Sequence, residues 1–276
     1  GQPSAYEAGL AVARGTLAPE VLDLDDAWTI MYTSGTTGRP KGVMLSHRNM
    51  LQNAKAGLAS FDVYTDDVFL SFLPLSHMFE RTGGYYLTML AGAEMAFARS
   101  VAQLAEDFRK VRPTVIFSVP RIYERLHAAI QGQLREASPA RRALFGFAHR
   151  TGWSLFEWHQ GRGPWKPAFL LWPALRALVA SKLLERLGGR LRLAISGGAA
   201  LSPTIARTFI GLGLPICQGY GLTEASPVVS VNRLARNDPA SIGEVLPGIE
   251  VKFGENSVLF VKGPNVMLGY WNNPEA

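Results

Sequence analysis

Apolar residues recur along this chain in two rhythms. Short runs rich in Val, Ile, Leu and aromatic residues alternate with longer stretches in which apolar positions return every three or four residues. The first rhythm is that of buried strands, the second that of helices packed by one face. Strands are predicted at residues 28–32, 68–73, 95–98, 114–117, 191–195 and 214–217. Ser46 suits the N-cap of a helix carrying Met50, Leu51, Ala54 and Leu58. Further helices carry Leu87 and Leu90, then Leu104, Phe108 and Val111. Another starts at Pro120, with Ile122, Leu126, Ile130 and Leu134 on one face. Ser202-Pro203 reads as a cap and first-turn proline for a helix ended by Gly211 or Gly213. After Pro227 the helical rhythm gives way to strands at 228–231, 249–253 and 258–261.

This order predicts an α/β class: layered sheets with flanking helices, mostly parallel strands, and a β-rich C-terminal end. Residues 1–26 read as a leading segment, 27–230 as an α/β core with a helical insertion near 131–190, and 231–276 as the β-rich end of the same large domain. A hydrophobic content of 47% in 276 residues excludes a disordered chain. The net charge of +6 suits nucleotides, coenzyme A, nucleic acid or a lipid surface, or simply solubility. A single cysteine, Cys217, forbids an internal disulfide. It lies in an apolar run and reads as a buried small residue in a reducing compartment. Gly1-Gln2-Pro3-Ser4 shows no signal-peptide pattern. The longest apolar stretch, from Ala168 to Leu175, is interrupted by Pro173 and ended by Arg176, so no transmembrane span is expected.

The candidate chemistry concentrates in Tyr32-Thr33-Ser34-Gly35-Thr36-Thr37-Gly38-Arg39-Pro40-Lys41-Gly42. Glycines let backbone N–H groups approach an anion, the hydroxyls add donors, and Lys41 adds a point charge. The string reads as a polyphosphate cradle, with ATP the foremost ligand and a plain Gly/Thr-rich turn the alternative. It is not a Walker A loop, because Pro40 precedes the lysine and Gly42 follows it. A second string, Gln218-Gly219-Tyr220-Gly221-Leu222-Thr223-Glu224, offers a ring free to stack on a purine, a hydroxyl, and a hard oxygen ligand for Mg²⁺. A third, Ser196-Gly197-Gly198-Ala199, lets a ligand approach the backbone. In Pro74-Leu75-Ser76-His77-Met78-Phe79-Glu80-Arg81, a lone histidine is by itself more often structural than catalytic.

Together and in this order, these strings resemble the adenylate-forming (AMP-binding) superfamily, which contains acyl-CoA synthetases, luciferases and peptide-synthetase adenylation domains. The resemblance runs from about Ala27 to the C-terminus. It implies ATP, Mg²⁺ and coenzyme A, the last as a substrate. It places Thr33, Ser34, Gly35, Thr36, Thr37, Gly38 and Lys41 on the phosphates, and Thr33 and Glu224 on the metal. Tyr220 falls on adenine, Thr223 on the α-phosphate, and Gly197, Gly198 and Ala199 on the nucleotide and acyl wall. Gln218, Gly219 and Gly221 flank that nucleotide, His77 lies near the reacting carboxylate, and Met78 and Arg81 border nucleotide and acyl tunnel. The catalytic set implied is Lys41, His77, Thr223 and Glu224. Some long-chain members carry a tryptophan gate near the position of Arg81, so no aromatic gate is expected there.

The segment between His77 and Ser196, with Gly188 to Arg192 leading into Ser-Gly-Gly-Ala-Ala-Leu, resembles the long-chain fatty acid–CoA ligase branch. The implied partners are fatty acid, ATP and CoA, not nucleic acid, in the cytoplasm, with peripheral membrane contact left open. Lys166, Arg176, Lys182 and Arg186 flank apolar residues. An ordinary amphipathic packing helix is the preferred reading there and an interfacial helix the alternative. Two family elements are not found before Ala276: a ribose-binding Thr-Gly-Asp string and the lysine of a mobile C-terminal domain. The chain is therefore expected to be a central piece of a larger enzyme, with weak ATP binding and little ligase activity. An aryl- or amino-acid-activating domain and a non-catalytic nucleotide-binding module are the competing readings.

Overall fold

The structure is a computed structural model that describes residues 4–13, 21–33 and 40–276. Twelve strands follow in chain order: β1 (Ala27–Thr33), β2 (Lys41–Ser46), β3 (Val68–Ser71), β4 (Glu94–Phe97), β5 (Val115–Ser118), β6 (Leu193–Ser196), β7 (Ile216–Gly221), β8 (Val228–Val231), β9 (Glu244–Val245), β10 (Glu250–Phe253), β11 (Leu259–Lys262) and β12 (Gly269–Tyr270). Seven of them form one sheet in the order β4-β3-β5-β6-β7-β8-β9. The first five are parallel and the last two antiparallel. β1, β2 and β12 form a second, antiparallel sheet, and β10 and β11 a hairpin.

Helices cover both faces of the large sheet, and alternate side chains divide between two cores. Leu70, Ile116, Ala194 and Ile216 point to one, with Phe108, Tyr123, Leu184 and Phe209 of the helices Leu104–Val111, Pro120–Glu136, Ser181–Arg186 and Pro203–Gly211. Phe69, Val115, Phe117, Leu193, Ile195 and Cys217 point to the other, with Phe79 and Leu87. Strands buried on both faces give continuous apolar runs rather than a polar alternation. Cys217 is fully buried, and burial pushes its thiol up to about 12, out of nucleophilic range.

The predicted elements form, with three differences. β7 continues through Gly219, Tyr220 and Gly221, beyond the strand predicted at 214–217, because β8 pairs with that segment. Ser202 occupies its N-cap position but its hydroxyl makes no capping bond. Pro173 does not interrupt the apolar stretch: it sits in the first turn of Trp172–Leu175, where its missing N–H costs nothing. The result is a helical run over Pro167–Arg186, long and apolar enough to cross a membrane by length and composition.

The parallel strands are tied at one end by Asp67, which is buried beside β3. It accepts bonds from Thr114 Oγ1 (2.6 Å), the Tyr64 N–H (2.8 Å) and Arg192 Nε (2.8 Å). Burial favours the neutral acid, yet the bonds from Arg192, Thr114 and Tyr64 outweigh it and hold the carboxyl below its usual range. The Gly188 to Arg192 motif is thereby accounted for structurally: its last arginine closes this pair.

Glu80 shows the opposite balance. It starts the widened turns of Glu80–Leu87 within the helix over residues 78–91 and is buried, with Oε2 unpartnered. Its carboxyl occupies the space a side chain at Gly84 would need. Burial, only partly offset by a bond from Ser71, pushes it up to about 7. A raised carboxyl favours the fold below its unfolded value and destabilises it as pH rises toward the folded one. Glu80→Gln is therefore expected to match the parent near pH 4.5 and to exceed its stability at pH 8 by about 3 kcal/mol. Urea unfolding at the two pH values tests this; a difference independent of pH would refute it.

Candidate active site

The hairpin of β1 and β2 sets Thr33 directly opposite Lys41. The intervening Ser34, Gly35, Thr36, Thr37 and Gly38 lie outside the described residues. β12 pairs with β2 on its free edge, Tyr270 against Val43. This places the Lys41 ammonium 4.9 Å from the centre of the Tyr270 ring, a cation–π contact that orients the lysine.

The end of β7 and the short turn Thr223–Ala225 supply the second half. Tyr220 is partly exposed between Gly219 and Gly221. A side chain at Gly221 would overlap the Pro227 carbonyl, and one at Gly219 would press on Ser230 O at 3.1 Å. The glycines are thus required by the β7–β8 pairing and also leave the tyrosine ring uncrowded. The Tyr270 hydroxyl donates to Glu224 Oε1 (2.8 Å), and the Met267 N–H donates to the Glu224 carbonyl (2.9 Å). Burial and then the neighbouring carboxylate push the Tyr270 hydroxyl up to about 12, so it stays a donor. No other bond reaches the Glu224 carboxylate among the described residues, which leaves its second oxygen for a cation.

Two clefts meet at His77 and Thr223. One is lined by Thr33, Ser76, His77, Met78 and Thr223 and opens beside the β1–β2 hairpin. The other is lined by His77, Gly197, Gly198, Gly219, Tyr220, Gly221 and Thr223, and its walls are Phe61, Phe79, Phe117, Ile195, Val228 and Val231. No carboxylate or ammonium lines this second cleft. The backbone at Gly197 passes so close to the Phe79 ring that a Cβ would sit 2.8 Å from it. His77 Nδ1 accepts the Phe79 N–H (3.2 Å), which leaves Nε2 as the N–H of the neutral ring.

Several sequence-predicted residues stand apart from the clefts. Arg81 donates to Leu75 O (3.0 Å) and Thr29 Oγ1 (3.3 Å), bracing β1, and lines neither cleft. Ala199 is exposed and also lines neither. The Gln218 side chain accepts the Leu201 N–H and donates to Ser241 O (3.3 Å), a bracing role.

Two buried asparagines support the site from behind. Asn49 Nδ2 donates to Pro264 O (2.8 Å) and Val266 O (2.9 Å). Asn53 Nδ2 donates to Val228 O (2.7 Å), and its Oδ1 accepts the Val228 N–H (3.2 Å). The two fasten the helix His47–Leu58 behind the β1–β2 hairpin to the segments that carry Glu224 and Tyr270. Their signal is two asparagines four apart on the same helix face as Met50 and Ala54, polar groups that must find partners when buried.

Among the described residues no group of three His, Cys, Asp or Glu could hold a metal alone. The Glu224 carboxylate lines neither cleft, but it follows Thr223 directly and is held by the Tyr270 hydroxyl. It fits Mg²⁺ carried by nucleotide phosphates, which needs only one or two protein oxygens.

The pattern of the AMP-binding enzyme family matches residues 2–271, and the chain belongs to that family. It is 34% identical to the chloroplastic long-chain-fatty-acid–[acyl-carrier-protein] ligase AEE15 of Arabidopsis thaliana, over 93% of this chain and 40% of that protein. It is 33% identical to the peroxisomal long chain acyl-CoA synthetase 6 of the same plant, over 90% of this chain and 36% of that one. The ATP-bound crystal structure of MatB from Rhodopseudomonas palustris superposes with a TM-score of 0.67 at 27% identity, covering 96% of this chain and 45% of that one. The chain thus spans less than half the length of these relatives.

Proposed function

We propose that this chain is the nucleotide- and acyl-binding body of an ATP-dependent fatty acid–CoA ligase. The observation that carries the reading is the meeting of a polar cleft and an apolar cleft at His77 and Thr223. A fatty acid in the apolar cleft presents its carboxylate at that junction, where the α-phosphate of ATP arrives from the hairpin side. The carboxylate oxygen attacks the α-phosphorus and pyrophosphate leaves. The coenzyme A thiolate then attacks the acyl carbonyl and AMP leaves. Such a transfer needs charge neutralisation and positioning more than a protein nucleophile. In this reading Lys41 and the hairpin loop hold the outer phosphates, Tyr220 stacks on adenine, and Thr223 donates to the α-phosphate. Thr33 and Glu224 hold Mg²⁺, whose charge offsets that of the triphosphate. His77 Nε2–H faces the carboxylate.

The absence of a charged lining favours a fatty acid over an amino acid, whose ammonium would go unpaired there. Pyrophosphate exchange by the longest polypeptide the gene encodes tests the proposal, with fatty, aryl and amino acids compared. Exchange stimulated by fatty acids alone supports it. Stimulation by aryl or amino acids instead overturns it, and ATP binding without exchange leaves a nucleotide-binding module.

A further inference from the structure

The charge of this chain is not spread over its surface. Residues 138–184 contain seven Lys and Arg and one acidic residue, Glu157, out of 28 basic and 22 acidic residues in the whole chain. Elsewhere the two signs are therefore equal, so this segment accounts for the entire net charge of +6. Glu157 is itself paired with Arg162 at 2.8 Å. Arg141, Arg176, Lys182 and Arg186 form no ion pair among the described residues.

The same segment carries a long apolar helix with an exposed face. Within Pro167–Arg186, Phe169, Leu175, Ala180 and Leu184 are buried, while Leu170, Leu171 and Leu178 are 75%, 52% and 68% exposed. Trp165 is also exposed just before it, and Leu144 on the adjoining helix Pro139–His159. Leu144 and Leu178 line one groove of about 470 Å³ between the helices, whose rim carries Arg141, Lys182 and Arg186 and a single carboxylate, Glu136. An amphipathic packing helix accounts for the buried side alone.

We propose that the outer face of these two helices docks on an anionic lipid bilayer, with Leu170, Leu171, Leu178 and Trp165 in the acyl boundary and the basic side chains on the headgroups. The helix does not cross: Arg176 lies in its middle and its other face closes the core of the large sheet. A helix that buries one face in protein and offers apolar residues ringed by Lys and Arg lies in the plane of the interface. A second copy of the chain fits poorly, since a two-fold contact would set this cationic segment against itself. The inference is independent of the chemistry assigned to the active site.

Co-sedimentation with phosphatidylcholine vesicles, with and without about 30% phosphatidylglycerol, tests it at low and high salt, because such attraction is screened within a Debye length. The chain should bind the anionic vesicles and be released by salt. Leu171→Asp/Leu178→Asp and Arg176→Glu/Lys182→Glu should each weaken binding about tenfold or more, while Lys252→Glu, on β10, should leave it unchanged. Circular dichroism confirms that the variants fold, and the salt series on the unaltered chain does not depend on them. Absence of binding, equal binding to neutral vesicles, or equal loss in Lys252→Glu would overturn the proposal. So would a lipid-free dimer in light scattering that the leucine variant dissociates, since it would assign the face to a second copy.

Discussion

Replacing Glu224 by glutamine is expected to lower acyl-adenylate formation about 100- to 1,000-fold. The amide keeps an oxygen to accept the Tyr270 hydroxyl, so the turn Thr223–Ala225 keeps its place, and only the negative charge is lost. A neutral side chain binds Mg²⁺ poorly, and the triphosphate then reacts without its counter-charge. Pyrophosphate exchange in the longest polypeptide the gene encodes measures the effect. Tyr270→Phe separates orientation from charge. It keeps the ring beneath Lys41 and removes the hydroxyl from Glu224, so it should raise the Mg²⁺ concentration required by about tenfold, as loss of a supporting partner does at other metal sites. If Glu224→Gln keeps more than half the activity, the carboxylate does not hold the metal.

Gly243→Ala is expected to cost about 3–5 kcal/mol of stability. Gly243 has φ +86, a conformation side chains rarely adopt, and a Cβ there would overlap the backbone of Val231 and Asn232. The strain cannot be relieved locally. Ser241 Oγ accepts the Gly243 N–H (3.0 Å), Ser241 O accepts from Asn232 Nδ2 (2.7 Å), and Ile242 O accepts from Ser230 Oγ (3.0 Å). Relaxing Gly243 therefore moves β8, the strand that pairs with Tyr220. Urea unfolding measures the loss; a change below about 1 kcal/mol would show that β8 and β9 separate freely.

How much of this was legible in the residues differs by element. The helix after Ser46 announces itself twice, through its apolar spacing and its cap: Ser46 Oγ accepts the Asn49 N–H and Asn49 Oδ1 accepts the Ser46 N–H. β5 is a run of Val, Ile and Phe that no helix signal contests. The end of β7 was illegible for the opposite reason. Gly219-Tyr220-Gly221 has the composition of a turn, and only the ladder with β8 makes it a strand. The apolar stretch from Ala168 to Leu175 looks broken at Pro173 in the sequence, because a proline's effect depends on whether it falls in a first turn or an interior one.

The class of fold, the family and the candidate groups for the site can all be read from the residues alone, since local periodicity, caps and short polar strings are properties of neighbouring residues. Tertiary structure decided which of those groups share a space. It brought Tyr270 under Lys41 and onto Glu224, joined two clefts at His77 and Thr223, and took Arg81 and Gln218 out of them as braces. Each of these depends on pairing between residues far apart in the chain, and spacing along the sequence carries no record of that distance.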